Sequence, residues 1–401
     1  MMSESMTTAT FKISTLLERI QARGKAFELQ AGESTQRQLL GAARALVDAL
    51  ESPAERVTRM IYHEPYIYSI TRVCIDLDLF TTLLSDNGSP KSTKFLAQAS
   101  GADQKLLKRL LKHLATSSVI DEIDIDTFGP TAISALLATP ECSGAVMDMY
   151  DAGTDHHNHL PAFLKANNYQ NPTDRTKLSL WRYATGCELP YFDWLNLPEN
   201  SARRDAFERH MAFKTLSKKW YEAVPLDEVL RKEVEGDALL VDIGGNTGYD
   251  LQGFHKAHPD RPGKLILQDT PSVVEAVKLE SPFEVMAHDM FTPQPVKGAN
   301  AYYMKMVLHD WGDEDCQRIL SNIKPAMKKG KSKILVNEMV IPQKNAEWFA
   351  TGVDIIMLNT HSSYERTERD WERLAESAGL KVNRIWDCDG AHEKLIEMVI
   401  P

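Results

Sequence analysis

A glycine-rich turn, a histidine and a set of carboxylates carry the chemistry legible in this chain. The run VDIGGNTGYDL, residues 241–251, reads as a buried strand that ends in Asp242, Ile243, Gly244 and Gly245, turns through Asn246, Thr247 and Gly248, and opens a helix. Glycines there supply positive φ angles and omit side-chain bulk, so the backbone can approach a ligand closely. The next strand, KLILQD, ends at Asp269, about 20 positions on, where an acidic residue commonly binds ribose hydroxyls. The pattern points to a nucleotide. Counted from Gly244, the third and sixth positions are Asn246 and Tyr249, which counts against the G-x-G-x-x-G dinucleotide fingerprint.

His309 follows the run NAYYMKMVL and precedes a helical pattern beginning near Asp313. That sets it at the carboxyl edge of a sheet, where open α/β folds bind ligands. Histidine suits proton removal because its unperturbed pKa is ~6.5. A base also needs an orienting partner on its other ring nitrogen. Glu338, at the end of the following strand, and Glu365, in the loop YERT, are the candidates. His156, His157 and His159 cluster in TDHHNHL. Structural zinc wants four ligands at defined spacing, and nothing nearby completes the set. No metal is expected; a substrate-facing role is. Candidate substrate contacts are therefore His156, His157, Met211, Met357 and His361.

The elements that must position these residues follow from periodicity. Residues 10–60 carry helical spacing, interrupted around Gly32 to Ser34, and Pro53 begins a break after which helical patterning resumes near Tyr66. Two further helical patterns meet at Ser100-Gly101-Ala102-Asp103, where Gly101 can end one helix and Asp103 cap the next. Alternation in VIDEIDIDTFGP suits a hairpin wing. Helix, helix, wing is a DNA-binding order in many proteins, and Lys105, Lys108, Arg109 and Lys112 are basic. Leu106, Leu107, Leu110, Leu111 and Leu114 nevertheless give the second helix a broad apolar face, so packing or dimerisation is expected instead.

Residues 140–235 read as mostly helical with aromatic punctuation. From Ala238, ALLVDIGG, KLILQD, PFEVMAHD, NAYYMKMVLHD and SKILVNEMV are strand candidates, with helical segments near 249–258, 271–278 and 313–327 between them. Alternating strands and helices indicate a mostly parallel sheet covered on both faces. A helix over 368–378 and a closing strand pair, LKVNRIWDCD and EKLIEMVIP, complete it. The expected division is 1–139, 140–235 and 236–401.

The 46 basic and 56 acidic side chains give a net charge of −10, which argues against a dedicated nucleic-acid surface. Five dispersed cysteines without a C-x-x-C pair fit free thiols in a reducing compartment. No secretory signal or membrane-spanning run is apparent, and a cytoplasmic protein is expected.

VDIGGNTG, LILQDTPSVV, AHDMFTPQP, YYMKMVLHDWGDEDC, NEMVIP and ERTERDWERLAESAGL occur in this order. The stretch they mark resembles the class I O-methyltransferases of the caffeate/flavonoid and fungal secondary-metabolite group. LDLFTTLLS and LLKRLLKHLATSSVIDE resemble that family's dimerisation domain, so the likeness covers about 300 residues. It implies a Rossmann-like α/β methyltransferase domain with a mixed, mostly parallel sheet, preceded by a mainly helical, winged-helix-like dimerisation domain. It implies S-adenosylmethionine as cofactor and a homodimer. Asp242, Gly244, Gly245 and Gly248 would surround the cofactor's methionine and ribose parts. Asp269 would accept the ribose hydroxyls, Asp289 and Met290 would contact adenine, and Lys305 would sit near the tail. His309 would be the general base, with Glu338 and Glu365 flanking it and Asp310 beside it. Asn246 departs from the family, which usually has a third glycine there.

The first functional expectation is O-methylation of a phenol or enol in a small secondary metabolite, such as an aromatic, polyketide or 2-pyridone. The second is a pericyclase on the same scaffold, which dehydrates or guides hetero-Diels–Alder or Alder-ene reactions with the cofactor unconsumed. Asn246 and the loop NTHSSYERT, where methyltransferases often have glycine before ERT, motivate it. A DNA-binding regulator is the third and fits the acidic composition worst.

Overall fold

The computed structural model describes residues 2–172, 179–214, 219–231, 238–275, 277, 281–388 and 393–401. Strands β1 (Lys91–Ser92), β2 (Ile120–Asp124) and β3 (Thr127–Pro130) form a small sheet. Strands β4 (Ala238–Ile243), β5 (Lys264–Asp269), β6 (Glu284–Ala287), β7 (Ala301–Lys305), β8 (Lys333–Met339), β9 (Lys381–Asp387) and β10 (Glu393–Val399) form a seven-stranded one. Contacts group the chain into two compact units, Met1–Tyr150 and Asp151–Pro401. The segment 140–235 distinguished on sequence falls in the second unit apart from residues 140–150.

In the large sheet apolar residues alternate between two buried faces. Tyr302 and Met304, Ile334 and Val336, and Ile396 and Met398 pack into one cluster; Ala301 and Tyr303, Leu335, and Leu395 pack into the other. This period of two, with both faces apolar, is what strands covered by helices on both sides require. One face is covered by helices Asp313–Ile323, through Cys316, Ile319, Leu320 and Ile323, and Glu368–Ser377, through Trp371, Leu374 and Ala375. The other is covered by Trp220, Tyr221 and Val229 and by Leu251 and Phe254 of helix Tyr249–Ala257.

The strand order is β6-β5-β4-β7-β8-β10-β9. β4 to β8 pair in parallel, and β10 lies antiparallel between β8 and β9. Chain order therefore reverses at β4: β5 and β6 lie on one side of it and β7 on the other. Such a switch point opens a crevice at the carboxyl ends of the two inner strands. A Cβ placed on Gly244, just after β4, would meet Val307, just after β7, at 3.0 Å. The two segments expected to carry the chemistry thus meet there.

The first unit is mainly helical. Gly101 ends helix Thr93–Ser100 in the left-handed conformation, and the Asp103 carboxylate caps helix Gln104–Ala115 by accepting from Leu106 N at 2.8 Å, as the spacing predicts. Its Leu107, Leu111 and Leu114 are buried. Lys108 and Lys112 pair with Asp126 and Glu122 of the β2–β3 hairpin, so two of the four basic side chains are tied to acidic partners. Pro53 does not begin a break. Ser52 and Glu55 form a reciprocal capping box and Pro53 opens helix Pro53–Tyr62, since proline's missing N–H costs nothing at a first helical position. The helix expected over 271–278 is described only as Pro271–Val274; residues 276 and 278 lie outside the described set. No helix among the described residues is long and apolar enough to cross a membrane.

Leu320 is fully buried where helix Asp313–Ile323 meets the sheet. Leu320→Ala is expected to lower unfolding free energy by about 2–5 kcal/mol, read as a lower urea midpoint at unchanged slope.

Candidate active site

The glycine turn begins where β4 ends. Gly244 and Gly248 have φ of +72° and +84°, and Asn246 between them has φ of +55°. Asparagine is among the few side chains that tolerate this left-handed region, so Asn246 adopts a backbone conformation that glycine would also adopt. A side chain on Gly248 would overlap the Phe283 ring, so strain and crowding both demand glycine there. Asn246 N donates to Asp269 Oδ2 at 2.9 Å and Thr270 N to Asp269 Oδ1 at 2.7 Å. Each Asp269 oxygen thus has one backbone donor and a lone pair to spare, which fits a vicinal diol. Burial nonetheless raises the pKa of Asp269.

Asp242 sits at the end of β4, almost wholly buried, and its Oδ2 has no hydrogen-bond partner. Burial, and then the neighbouring Asp250 charge, push its pKa well above the ordinary carboxylate range. An orphaned buried carboxylate oxygen calls for a donor, and a cofactor in the crevice would supply one. Lys305, at the end of β7, reaches Asp250 Oδ2 at 3.2 Å. Burial acts to lower its pKa, but Asp250 and Glu393 outweigh it and raise it. Lys219 shares Asp250 at 3.6 Å, and burial followed by the Lys305 charge lowers its pKa. Tyr303 hydroxyl donates to Asn337 Oδ1 at 3.3 Å and lies 3.5 Å from Asp250 Oδ2. Asp289 is exposed and Met290 half-buried, both just after β6. The donor set suits a ribose-bearing nucleotide with a cationic or amine group.

After β7 the chain turns through Leu308–Asp310. His309 is buried, and its Nδ1 lies 2.7 Å from Glu365 Oε1, itself buried. Glu338 Oε1 accepts from Val307 N at 3.0 Å and Leu308 N at 2.7 Å, while its Oε2 has no partner. Burial raises the pKa of Glu338 despite the nearby imidazole. Asp310 Oδ1 lies 3.5 Å from His309 Nε2 and 3.4 Å from His361 Nε2. One nitrogen of His309 is therefore engaged by Glu365, and the other points toward Asp310. The ligand atoms of His309, Glu338 and Glu365 lie within 4.8 Å of one another, a spacing a divalent cation would also accept.

The candidate substrate residues separate. His361, ending helix Trp348–His361, stacks on Phe192 at 5.1 Å and meets Tyr191 edge-on at 6.0 Å. Tyr191 in turn contacts Trp181, which meets His156 edge-on at 5.6 Å. His156 is buried, while His157 is exposed. Met357 packs with Met339 and Val353, and Met211 is half-buried in helix Ser201–Lys214. Sequence reasoning passed over Asp250, Tyr303, Lys219, Ser363 and Arg366. Tyr303 shares the strand face of Lys305, two residues on, so period two was the available signal; the others come together only through the fold.

The O-methyltransferase domain model matches residues 177–381. O-methyltransferase mpaG of Penicillium roqueforti (strain FM164) is 33% identical, covering 97% of this chain and 98% of its own. A structure of LepI in complex with SAM is 29% identical with TM-score 0.84, covering 97% of this chain and 99% of that one. Another, described as a pericyclic reaction enzyme, is 29% identical with TM-score 0.84, covering 99% and 100%. The chain belongs to the O-methyltransferase family. It is an enzyme of the S-adenosylmethionine-dependent class.

Asp242 generates a signed pH dependence. The folded chain keeps a proton that the unfolded chain gives up, so the stability this group contributes is full below the ordinary carboxylate range. It falls as pH rises toward the raised folded value. Asp242→Asn is expected to flatten that slope in urea midpoints measured across pH, and to weaken cofactor binding.

Proposed function

We propose that this enzyme transfers a methyl group to a phenolic or enolic hydroxyl of a small, largely apolar secondary metabolite. The observation that carries this reading is the buried 2.7 Å contact between His309 Nδ1 and Glu365 Oε1. S-adenosylmethionine, when bound, supplies an activated methyl group on a sulfonium. Asp269 would hold the ribose hydroxyls, Asp289 and Met290 the adenine, and the turn from Gly244 to Gly248 the part near the sulfonium. His309 Nε2 then takes the proton of the acceptor hydroxyl. Glu365 accepts from Nδ1–H, fixes that tautomer and offsets the positive charge the ring acquires. Glu338 holds the two backbone N–H groups leading into the histidine. Rings such as Phe192 and Tyr191 beside His361 suit a flat apolar acceptor.

The test is incubation with methyl-labelled S-adenosylmethionine and a panel of phenols, 2-pyridones and polyketide enols. Label is expected in product, and His309→Ala is expected to lower kcat about 10²–10⁴-fold with cofactor binding kept. Undiminished transfer by that variant removes His309 from the mechanism. A second reading, pericyclase activity, is favoured by His361 beside Asp310, which adds a group able to polarise a carbonyl. It requires isomerised product, no label and unconsumed cofactor.

The first unit is read as a winged-helix-like dimerisation domain. Helix Pro53–Tyr62 buries no side chain, and its Val57, Met60, Ile61 and Tyr62 are exposed, a face that a second copy would cover. Light scattering is expected to give a dimer mass; a monomer mass contradicts it. Five free cysteines suit a reducing, cytoplasmic location.

A further inference from the structure

Four side chains of the segment 361–366 contact the histidine turn. Ser363 Oγ donates to the His309 carbonyl, Glu365 meets the ring at Nδ1, and His361 lies against Asp310. Arg366 reaches furthest around. Its Nη1 donates to Leu308 O at 3.0 Å, the carbonyl just before His309, and its Nη2 to Trp311 O at 2.9 Å, two residues after. Nη2 and Nε also bind Asp313 Oδ1 at 2.8 and 3.0 Å. The Arg366 side chain is 0% exposed, with Tyr364 and Trp371 rings 4.9 and 5.3 Å from the guanidinium carbon. Burial opposes its charge, yet the surrounding Cys316 and Asp313 raise its pKa above the ordinary value.

We propose that Arg366 is a positioning residue that clamps the base-bearing turn from both ends, so that His309 meets Glu365 in one geometry. Two carbonyls of one short turn and a carboxylate at the start of the next helix need donors in a fixed planar fork. Guanidinium has five such donors; an ammonium offers three at one point. Arg366 adjoins Glu365 in the chain, so one backbone segment carries both the partner of the ring and the clamp on its backbone. Asp313 takes part from outside: its side chain is 58% exposed and also accepts from the Tyr364 hydroxyl at 2.8 Å.

The proposal rests on His309 and Glu365 being the working pair, but its test does not require methyl transfer. In the full chain labelled with 15N-histidine, the His309 Nδ1 proton bonded to Glu365 is expected as a downfield imidazole resonance, assigned by its absence from His309→Asn. Arg366→Lys is expected to lose or broaden it by faster solvent exchange. Asp313→Asn, which loosens the clamp without emptying a buried site, is expected to broaden it partly. Arg373→Lys, at a position 74% exposed, leaves it unchanged. With any acceptor that the wild type methylates, Arg366→Lys lowers kcat up to about 10²-fold while acceptor KM stays within about twofold, as expected for a misplaced group. If Arg366→Lys does not fold, Asp313→Asn and Tyr364→Phe decide. An unchanged resonance in the folded variants, or none in the wild type, overturns the proposal. A resonance that behaves as described in a chain that methylates nothing upholds the clamp and removes only the proposed reaction.

Discussion

A buried imidazole held by a buried carboxylate is the constraint on which the site depends. Charges and polar groups removed from water are costly unless they find partners. His309, Glu365, Glu338 and Arg366 are all buried side by side, and the polar contacts among and around them offset much of that cost, although Glu338 Oε2 has no partner. Glu365 faces the ring, Glu338 takes two backbone N–H groups, and Arg366 takes two carbonyls and Asp313. In such surroundings hydrogen bonds are electrostatically stronger than in water, and a ring fixed in one tautomer needs little reorganisation when it accepts a proton.

The sheet supplies the location. Because strand order reverses at β4, the turns after β4 and β7 face a common crevice, and parallel pairing forces both to the same edge. In the proposed reaction the first turn would hold the nucleotide and the second would carry the base. Near them a half-buried Asp250 gathers Lys305, Lys219 and the buried Tyr303 hydroxyl. Asp242 keeps an unmatched oxygen there, a cost to the protein alone that a bound donor would relieve.

Much of this was legible in the sequence because its signals are local. The glycine turn, Asp269 and the alternating strands each follow from a few neighbouring residues, and so do Gly101 and Asp103 at their helix ends. Pro53 was legible as well, since Ser52 and Glu55 mark a capping box, yet proline read alone suggested a break. Arg366 was not legible: its partners Leu308, Trp311 and Asp313 lie more than fifty residues away, and two of them contribute only carbonyls, which carry no residue identity. Likewise Asn246 looked like a departure from pattern because its type is visible in sequence, whereas its left-handed backbone is not. The pairing of His309 with Glu365 rather than Glu338 needed coordinates, since both glutamates end up within reach and only one faces the ring.

The most direct test of the account is titration calorimetry of the full chain with S-adenosylmethionine and with S-adenosylhomocysteine. Saturable binding of both at one site per chain, abolished when Asp269 is replaced by alanine, is the result the proposal predicts. Folded protein that binds neither would leave the crevice without its nucleotide and His309 without a reaction to serve.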